Sequence, residues 1–382
     1  MPGSHPANMP LAGLTIVEMG HSVAAPFAGV ALADLGATLV KIENPKHGDD
    51  TRTWGPPYWH GISTVFLSLN RNKHSAAIDL KDDVQRDALK TFITTKADVV
   101  FQNMRPGLVK TLGLDAATLR AANPKLIYCN MHAFGKVGPM SNRPGYDPLM
   151  QAFGGIMSVT GEEGRPPVRV GPSIVDVGTG MWAVIGILSA LHRRDVTGEG
   201  CEVDTSLFET ALNWMAQSAV GYLAEGRAPK RQGSERPSLV PYGVFRAADH
   251  EILIAVGNDN LFRRLVKALD KPEWLDDVRF ATNPERVKNR PIVNAAVQEV
   301  IGQYKRDDLL ALLDANDVPC APIQSLDQVM AHPQTQALGM TQPTHDGRFT
   351  LMGLPLSFDG QRTPHRYDPP ELGTGTNLIL EK

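Results

Sequence analysis

The sequence predicts an α/β fold built on a parallel, doubly wound sheet. Short β-rich runs alternate with helical stretches over the first 130 residues, and a long apolar run follows near residue 180. This alternation is typical of parallel strands joined by crossover helices, and such crossovers are right-handed in nearly all known cases. With 382 residues, the chain is long enough for two domains and a large buried core.

Each element of the sheet has a local signal. The helix predicted over residues 26–35 has Pro26 in its first turn and Gly36 directly after its end, which is the usual punctuation of a helix. A second helical stretch covers residues 106–122. Four β-rich runs predict the strands that these helices separate, at residues 14–18, 39–43, 97–103 and 125–131.

The run GMWAVIGILSAL at 180–191 is apolar on every side but too short to cross a membrane, so it predicts a helix buried in the core. A second domain is predicted from residue 225, where Gly, Pro and Arg become frequent. A strand at 251–257 and helices at 258–269 and 291–316 follow. The predicted division is a large α/β domain, a small α+β domain and a return to the large domain, at residues 10–224, 225–330 and 331–382.

Charge and composition exclude several functional classes. A net charge of -3 gives no reason to expect nucleic acid or an anionic membrane as a partner. The first ten residues lack a signal-peptide layout, and the three widely spaced cysteines predict buried free thiols in a reducing compartment. We therefore expect a cytoplasmic protein, or one of the mitochondrial matrix if it is eukaryotic. No zinc or nucleotide-binding motif is present, and no metal site is predicted.

Asp176 is the first candidate for chemistry. It lies in VRVGPSIVDVGTGMWA at 168–183, before two glycines and the apolar run. An aspartate in this position is often a helix N-cap. It could equally be a carboxylate nucleophile, because small residues let a ligand approach the backbone. A hydrolase based on Ser22 is a further alternative, since Gly20-His21-Ser22-Val23-Ala24 loosely resembles the nucleophile elbow.

A family resemblance favours the nucleophile. The chain resembles the family III CoA-transferases, the formyl-CoA transferase-like proteins, from residue 11 to about residue 373. Eight segments carry the resemblance in order: LAGLTIVEMG, ADLGATLVKIENP, GDDTRTWGPP, LNRNKHS, NMRPG, NPKLIYCNMHAFGKVGP, PGYDPLMQAFGG and TGEGCEVDTSLFETAL. The resemblance implies a Rossmann-like large domain, a smaller α+β domain, and a homodimer whose two chains interlock like linked rings.

The resemblance also implies a mechanism. Asp176 would attack the donor acyl-CoA and then carry CoA as an aspartyl thioester, so that CoA is a substrate and no prosthetic group is required. Backbone N–H groups nearby would keep the pKa of Asp176 low. The implied CoA contacts are Ser22, Val23, Ala24, Leu69, Asn70, Arg71, Lys73, Asn103, Met104, Arg105, His132, Phe134 and Gly135.

Three of those cations, Arg71, Lys73 and Arg105, are plausible partners for the CoA phosphates, although they could also be solvated surface charges. The small domain lacks the tetraglycine loop of the formyl-CoA transferases and reads RQGSERPSLVPYGVF instead. The resemblance therefore implies the branch that handles succinyl-CoA and glutarate-like dicarboxylates. Formyl-CoA:oxalate or acetyl-CoA:oxalate transfer remains an alternative.

Arg52 and Arg169 are predicted to hold a second substrate carboxylate, and Tyr146 is a further candidate substrate contact. Tyr146 also bears on a competing function. Racemases of the same fold have a histidine where this chain has Tyr146, and tyrosine is a poor base near pH 7. A non-catalytic CoA-binding protein is the last alternative, and it would bind CoA without turnover.

Overall fold

The structure, a computed structural model, describes residues 9–381. The chain divides into two compact units. The first consists of the residues up to Ile156, of Arg169–Arg227 and of the residues from Gln336 onward. The second consists of Met157–Val168 and Ala228–Thr335. The predicted boundary at residue 225 does not anticipate that Met157–Val168 joins the second unit, where Gly233 N donates to Gly161 O at 2.8 Å.

A six-stranded parallel sheet forms the centre of the first unit. Its strands are β1 (Thr15–Met19), β2 (Thr38–Glu43), β3 (Lys73–Ala77), β4 (Val99–Gln102), β5 (Ile127–His132) and β6 (Glu202–Ser206). They pair in the order β3-β2-β1-β4-β5-β6, and all five pairings are parallel. The fold is therefore α/β with a parallel central sheet, as the alternation of elements predicts.

Helices cover both faces of this sheet, because successive strand residues point to opposite faces. Ile16 of β1 packs with buried residues of α1 (Ala24–Asp34) and α2 (Ile174–Thr197). Val17, the next residue, packs with Leu89 and Leu119 on the opposite side. The other helices of the first unit are Thr64–Leu69, Asp83–Lys96, Leu108–Thr111, Ala116–Ala122, Asp147–Phe153, Leu207–Trp214, Ala216–Glu225 and Asn377–Leu380, with a 3-10 turn at Asp50–Arg52.

Short two-stranded sheets complete the first unit, and they pair Tyr58–Trp59 with Ile62–Ser63, Thr341–Pro343 with Thr350–Met352, and Ser357–Phe358 with Gln361–Arg362. The second unit contains an antiparallel sheet of Tyr242–Arg246, Glu251–Ala255 and Cys320–Pro322. Its helices are Asp259–Ala268, Pro272–Leu275 (3-10), Asn283–Lys288, Arg290–Ile301, Arg306–Asp314 and Leu326–Ala331. Ile156–Val159 and Pro333–Leu338 are helices in which the chain passes from one unit to the other.

Two predicted helices are each divided in the structure. The stretch 106–122 contains two helices because Gly113 has a φ of 66° and Asp115 starts a new helix, accepting a hydrogen bond from Thr118 N. The stretch 291–316 is interrupted after Ile301. The cysteines are free thiols as predicted, but of the three only Cys129 is fully buried.

Helix α2 is longer than the apolar run that predicts it, and the prediction of burial on every side is wrong for the single chain. Met181 and Ile185 are 47% and 48% exposed. Among residues 9–381, α2 alone is long and apolar enough to cross a membrane, a test that core helices of soluble proteins also pass. The opposite side of α2 packs closely in the core, since a Cβ atom on Gly180 would lie 2.7 Å from the Ala24 carbonyl oxygen of α1.

Candidate active site

The site begins where the strand order reverses, between β1 and β4, at the carboxyl ends of the strands. Ligands of doubly wound sheets bind at this kind of position. The side chain of Asn103 joins the two strand ends, because it accepts from His21 N at 3.0 Å and donates to His21 O at 2.9 Å. Ser22 follows with a φ of 67°, and its backbone N–H donates to Asp49 Oδ1.

Two cavities adjoin at this edge of the sheet and share His21, Asp50, Met104 and Arg105. The first has a volume of about 700 Å³ and the second about 360 Å³. The first is lined by Met19–His21, Ile42–Asn44, His47–Asp50, Ile78–Lys81, Met104, Arg105, Leu108 and Leu112. The second is lined by His21–Ala24, Asp50, Asn103–Pro106, Met131–Ala133, Arg143–Tyr146, Asp176, Thr179 and Leu207.

Asp176 lies on the wall of the second cavity, in the first turn of α2. The N-cap interpretation of this residue is wrong, because the cap position is Ser173. The side chain that satisfies the helix terminus comes from Asp147, whose Oδ2 accepts from Val175 N at 2.7 Å and Asp176 N at 3.2 Å. Asp176 therefore keeps its own carboxyl group for the cavity.

Gln151 holds this arrangement in place. Its Nε2 donates to Asp147 Oδ1 at 2.6 Å, and its Oε1 accepts from Val170 N at 2.8 Å. Asp147 and Gln151 are both buried, so these bonds form away from water. The segment before α2 is thus fixed to the helix Asp147–Phe153.

The pKa of Asp176 is raised to about 7, first by burial and then by the negative charge of Asp147. The expectation that backbone N–H groups keep this pKa low is wrong, since Asp147 accepts the N–H bonds at this terminus. Near neutral pH both the acid and the carboxylate forms of Asp176 are therefore populated. Perturbed carboxyl groups in clefts are common at functional sites.

Several of the predicted CoA contacts come together around Asp176. Seven of them line the second cavity, together with Tyr146: Ser22, Val23, Ala24, Asn103, Met104, Arg105 and His132. His132 Nε2 lies 3.1 Å from Asp204 Oδ1. Phe134 and Gly135 line neither cavity, and the Phe134 ring packs edge-on against Phe153 at a centroid distance of 5.3 Å.

The predicted contacts Leu69, Asn70, Arg71 and Lys73 lie elsewhere, and all four are buried. Lys73 Nζ pairs with Glu18 Oε2 at 2.8 Å, and the Arg71 guanidinium pairs with Asp34. None of the four lines either cavity. The alternative that Arg71 and Lys73 are solvated surface cations is wrong, because their charges are neutralised inside the first unit.

Arg52 and Arg169 are not brought to the cleft either. Arg52 forms a two-pronged pair with Glu43, with Nη2 to Oε1 at 2.7 Å and Nε to Oε2 at 2.8 Å, and its guanidinium lies over the Phe66 ring. Arg169 donates to the carbonyl oxygens of Val170 and Gly171. The structure offers neither arginine to a substrate carboxylate in the cavities of the first unit.

Sequence reasoning missed Arg143, Asp50 and Asp147. Two of them, Arg143 and Asp147, flank the predicted substrate residue Tyr146 in RPGYD at 143–147. Arg143 and the half-exposed Tyr146 both line the second cavity. Within residues 9–381, no group of three or more His, Cys, Asp and Glu side chains is arranged to hold a metal ion.

Comparison with known proteins identifies the family of the chain. Residues 11–376 match the family described as CoA-transferase family III. The chain belongs to this family. It is 38% identical over its full length to the succinate--glutarate CoA-transferase of Agrobacterium fabrum, covering 96% of that protein. It is 37% identical over 93% of its length to the acetyl-CoA:oxalate CoA-transferase of Acetobacter aceti, covering 91% of that protein.

A solved structure shares the fold of this family III chain. The crystal structure of a CAIB/BAIF family protein from Brucella suis superimposes with a TM-score of 0.86 at 40% identity, and the match covers 97% of this chain and 98% of that one. The protein is a CoA-transferase, and CoA is the substrate of the family's transferases.

Proposed function

We propose that the protein moves CoA from succinyl-CoA to a small dicarboxylic acid through a covalent aspartyl-CoA thioester on Asp176. The observation that carries the proposal is the position of the Asp176 carboxyl group. It lies on the wall of a small cavity that continues into a larger one, both at the carboxyl ends of the parallel strands. The larger cavity would take much of the CoA body and the smaller one the reacting acyl group.

The proposed reaction exchanges one thioester for another. The Asp176 carboxylate attacks the acyl-CoA carbonyl and expels CoA thiolate, which leaves a mixed anhydride. The thiolate then attacks the aspartyl carbonyl, releasing the donor acid and forming the aspartyl-CoA thioester. The acceptor carboxylate displaces the thiolate from this thioester, and the thiolate attacks the acceptor carbonyl of the new anhydride. Product acyl-CoA leaves and the Asp176 carboxylate is restored, with no net proton transfer.

The environment of Asp176 suits a nucleophile. A carboxylate with a pKa near 7 is more basic than an ordinary aspartate, and partial exclusion of water removes some of the hydration that would impede attack. The fixed Asp147–Gln151 pair holds the attacking group in position before the substrate arrives. These features support covalent catalysis at Asp176.

The choice of dicarboxylate rests on the relatives. Their names give succinate with glutarate in one case and oxalate in the other, all of them dicarboxylic acids. We therefore propose a dicarboxylate acceptor, with oxalate as the alternative to a longer acid.

A homodimer completes the proposal, as the family resemblance implies. Apolar side chains project from the helices Leu207–Trp214 and Ala216–Glu225, and Leu223 is 79% exposed. No residue of Ala216–Glu225 is buried in the single chain. Exposed apolar area of this kind marks interaction surfaces, and a second copy of the chain would cover it together with the exposed side of α2.

The test incubates the protein with succinyl-CoA and a panel of acids: glutarate, malate, oxalate and acetate. Mass spectrometry follows new acyl-CoA species and the mass of the peptide that carries Asp176. We expect a new acyl-CoA and a CoA adduct that are both absent in Asp176→Asn. Asp195→Asn, at the exposed far end of the same helix, is the matched control and should retain both.

Other outcomes would overturn the proposal. Full transfer by Asp176→Asn would exclude the aspartyl intermediate. Release of free CoA without an acceptor would indicate a hydrolase. Incorporation of deuterium at the α-carbon of a 2-methylacyl-CoA, without transfer to any acid, would indicate a racemase.

A further inference from the structure

The second cavity has a cation that the steps proposed at Asp176 do not use. Its lining contains Arg105, Arg143 and two histidines. Arg105 also lines the larger cavity, so it lies where the two meet. Arg143 lines only the smaller cavity, the one that contains Asp176.

Arg143 is also uncommitted. Among residues 9–381, no carboxylate lies within 4 Å of its guanidinium and its side chain donates no hydrogen bond within the chain. Arg52, predicted for the second carboxylate, and Arg71, predicted for a CoA phosphate, are both paired with carboxylates. Arg143 is exposed, so water solvates its charge and it needs no carboxylate partner. An arginine without one, at the edge of a cavity, is available to a ligand.

The guanidinium of Arg143 also lies near an aromatic ring. It lies 5.9 Å from the centroid of the Phe134 ring, within the range of cation–π attraction. Phe134 in turn packs against Phe153 and Phe208. The backbone N–H of Arg143 donates to Met140 O at 2.9 Å, and Pro144 restricts the chain after it. The aromatic cluster therefore favours positions of the cation beside the cavity.

We propose that Arg143 binds the second carboxylate of the dicarboxylic acid, and so selects diacids over monoacids. This inference rests on the proposed function. A diacid that reacts through one carboxylate brings its other negative charge into a cavity that already holds Asp176, where an unpaired charge is costly. A guanidinium fits a carboxylate with two parallel hydrogen bonds and offsets that cost. The role that sequence reasoning assigned to Arg52 and Arg169 passes to Arg143.

The other anion in this reaction is the CoA phosphate, and it is the competing ligand for Arg143. Arg105, between the two cavities, is placed for the phosphate chain if the larger cavity takes the CoA body. Arg143 does not line that larger cavity. The geometry therefore favours the acid over CoA, and the experiment measures the two separately.

The experiment compares the wild type with Arg143→Ala and Arg143→Lys, using glutarate and pentanoate, which have five carbons each and differ by one carboxylate. Arg263→Ala, an exposed arginine of the second unit that lines none of the described cavities, is the control. Transfer to glutarate is measured as kcat/KM. Pentanoate is measured as an acceptor and as a competitive inhibitor, and free CoA as an inhibitor against acyl-CoA.

We expect Arg143→Ala to lower kcat/KM for glutarate by about 10- to 100-fold, the range of a lost charge-assisted hydrogen bond. Arg143→Lys should retain part of that value. The inhibition constants of pentanoate and CoA should stay within about twofold, as should every value for Arg263→Ala.

Three results would overturn the inference. One is a wild-type kcat/KM for glutarate in Arg143→Ala. Another is an equal loss for pentanoate, which would indicate general damage to the cavity. The last is a weaker inhibition by CoA, which would make Arg143 a phosphate contact. A wild type that transfers CoA to no acid would instead refute the proposed function, so the two failures are distinguishable.

Discussion

Asp147 accepts a hydrogen bond from the backbone N–H of Asp176 at 3.2 Å, so one acidic residue caps the helix on which another lies. The two carboxyl groups differ in their hydrogen-bond partners and in their access to the cavity. Asp147 is 2% exposed and is held by Gln151 and by two backbone N–H groups of α2. Asp176 faces the cavity, and its pKa is raised to about 7 by burial and by the charge of Asp147.

The first prediction concerns the pH dependence of adduct formation. Because only ionised Asp176 attacks, the single-turnover rate of adduct formation should increase as the pH rises through about 7. Asp147→Asn removes one of the two causes of the raised pKa, so the curve should shift to lower pH. A curve at the same position in the variant would show that Asp147 does not influence Asp176. The control is Glu163→Gln, because Glu163 forms an exposed ion pair with Lys230 in the second unit.

The second prediction concerns stability. Because the pKa of Asp176 is about 7 in the folded protein and 3.8 as a reference value, the folded state binds a proton more tightly than the unfolded state. The contribution of Asp176 to the free energy of unfolding should therefore decrease between pH 4 and pH 7 and then stay level.

Asp176→Asn has no charge to bury and should be the more stable protein above pH 7, by roughly 4 kcal/mol at most. Urea unfolding at pH 4 and at pH 8 measures this difference. It should be small at pH 4, where the wild-type side chain is protonated in the folded state and only about half ionised in the unfolded state. A variant that is less stable at pH 8 would contradict the raised pKa.

The third prediction separates two roles for Lys73. The resemblance implies that it contacts CoA, whereas in the structure it is buried and pairs with Glu18. Lys73→Met should lower the free energy of unfolding by about 3–5 kcal/mol, because the Glu18 charge loses a buried partner. The KM for acyl-CoA of the folded fraction should be unchanged. Lys96→Met, an exposed lysine of the same unit, should alter neither quantity, and a raised KM with normal stability would restore the CoA contact.

Four of the six strands of the central sheet could be predicted because β1, β2, β4 and β5 are local runs of β-branched and apolar residues, whereas β3 (KHSAA) and β6 (EVDTS) are not. The partners of the buried charged side chains could not be predicted from the sequence. Arg71 meets Asp34 across 37 positions of sequence, and the two-pronged pair of Arg52 and Glu43 depends on how a loop folds back on β2. A motif reports that a cation is present, but only packing reports whether a carboxylate already neutralises it.

Part of the candidate site could be predicted from the fold class. The turn Ser22–Ala24 and Asn103–Arg105 meet because the carboxyl ends of β1 and β4 are adjacent, which the fold class implies. The role of Asp147 requires it to meet a helix terminus 28 residues further on, which no local pattern shows. Likewise, the apolar side chains of α2 look alike in sequence whether they face the core or solvent.

The fourth prediction concerns the proposed dimer. Leu223→Glu places a charge in the exposed apolar surface of Ala216–Glu225, where no residue is buried in the single chain. If a second copy covers this surface, the variant should sediment as a monomer or dissociate at a higher protein concentration than the wild type. Val278→Glu, an exposed apolar residue of the second unit, is the control. A wild type that sediments as a monomer would refute the dimer.

The last prediction concerns the contact that holds α2 against α1. A Cβ atom on Gly180 would lie 2.7 Å from the Ala24 carbonyl oxygen and 2.8 Å from the Phe27 ring, so Gly180→Ala should separate the helices and cost about 1–3 kcal/mol of stability. Because α2 carries Asp176 and α1 begins at Ala24, adduct formation should slow as well. Gly186→Ala, on the same helix, would meet only the Val203 side chain and should cost less, since alanine favours the helix. Equal effects of the two substitutions would show that the backbone contact at Gly180 does not position the nucleophile.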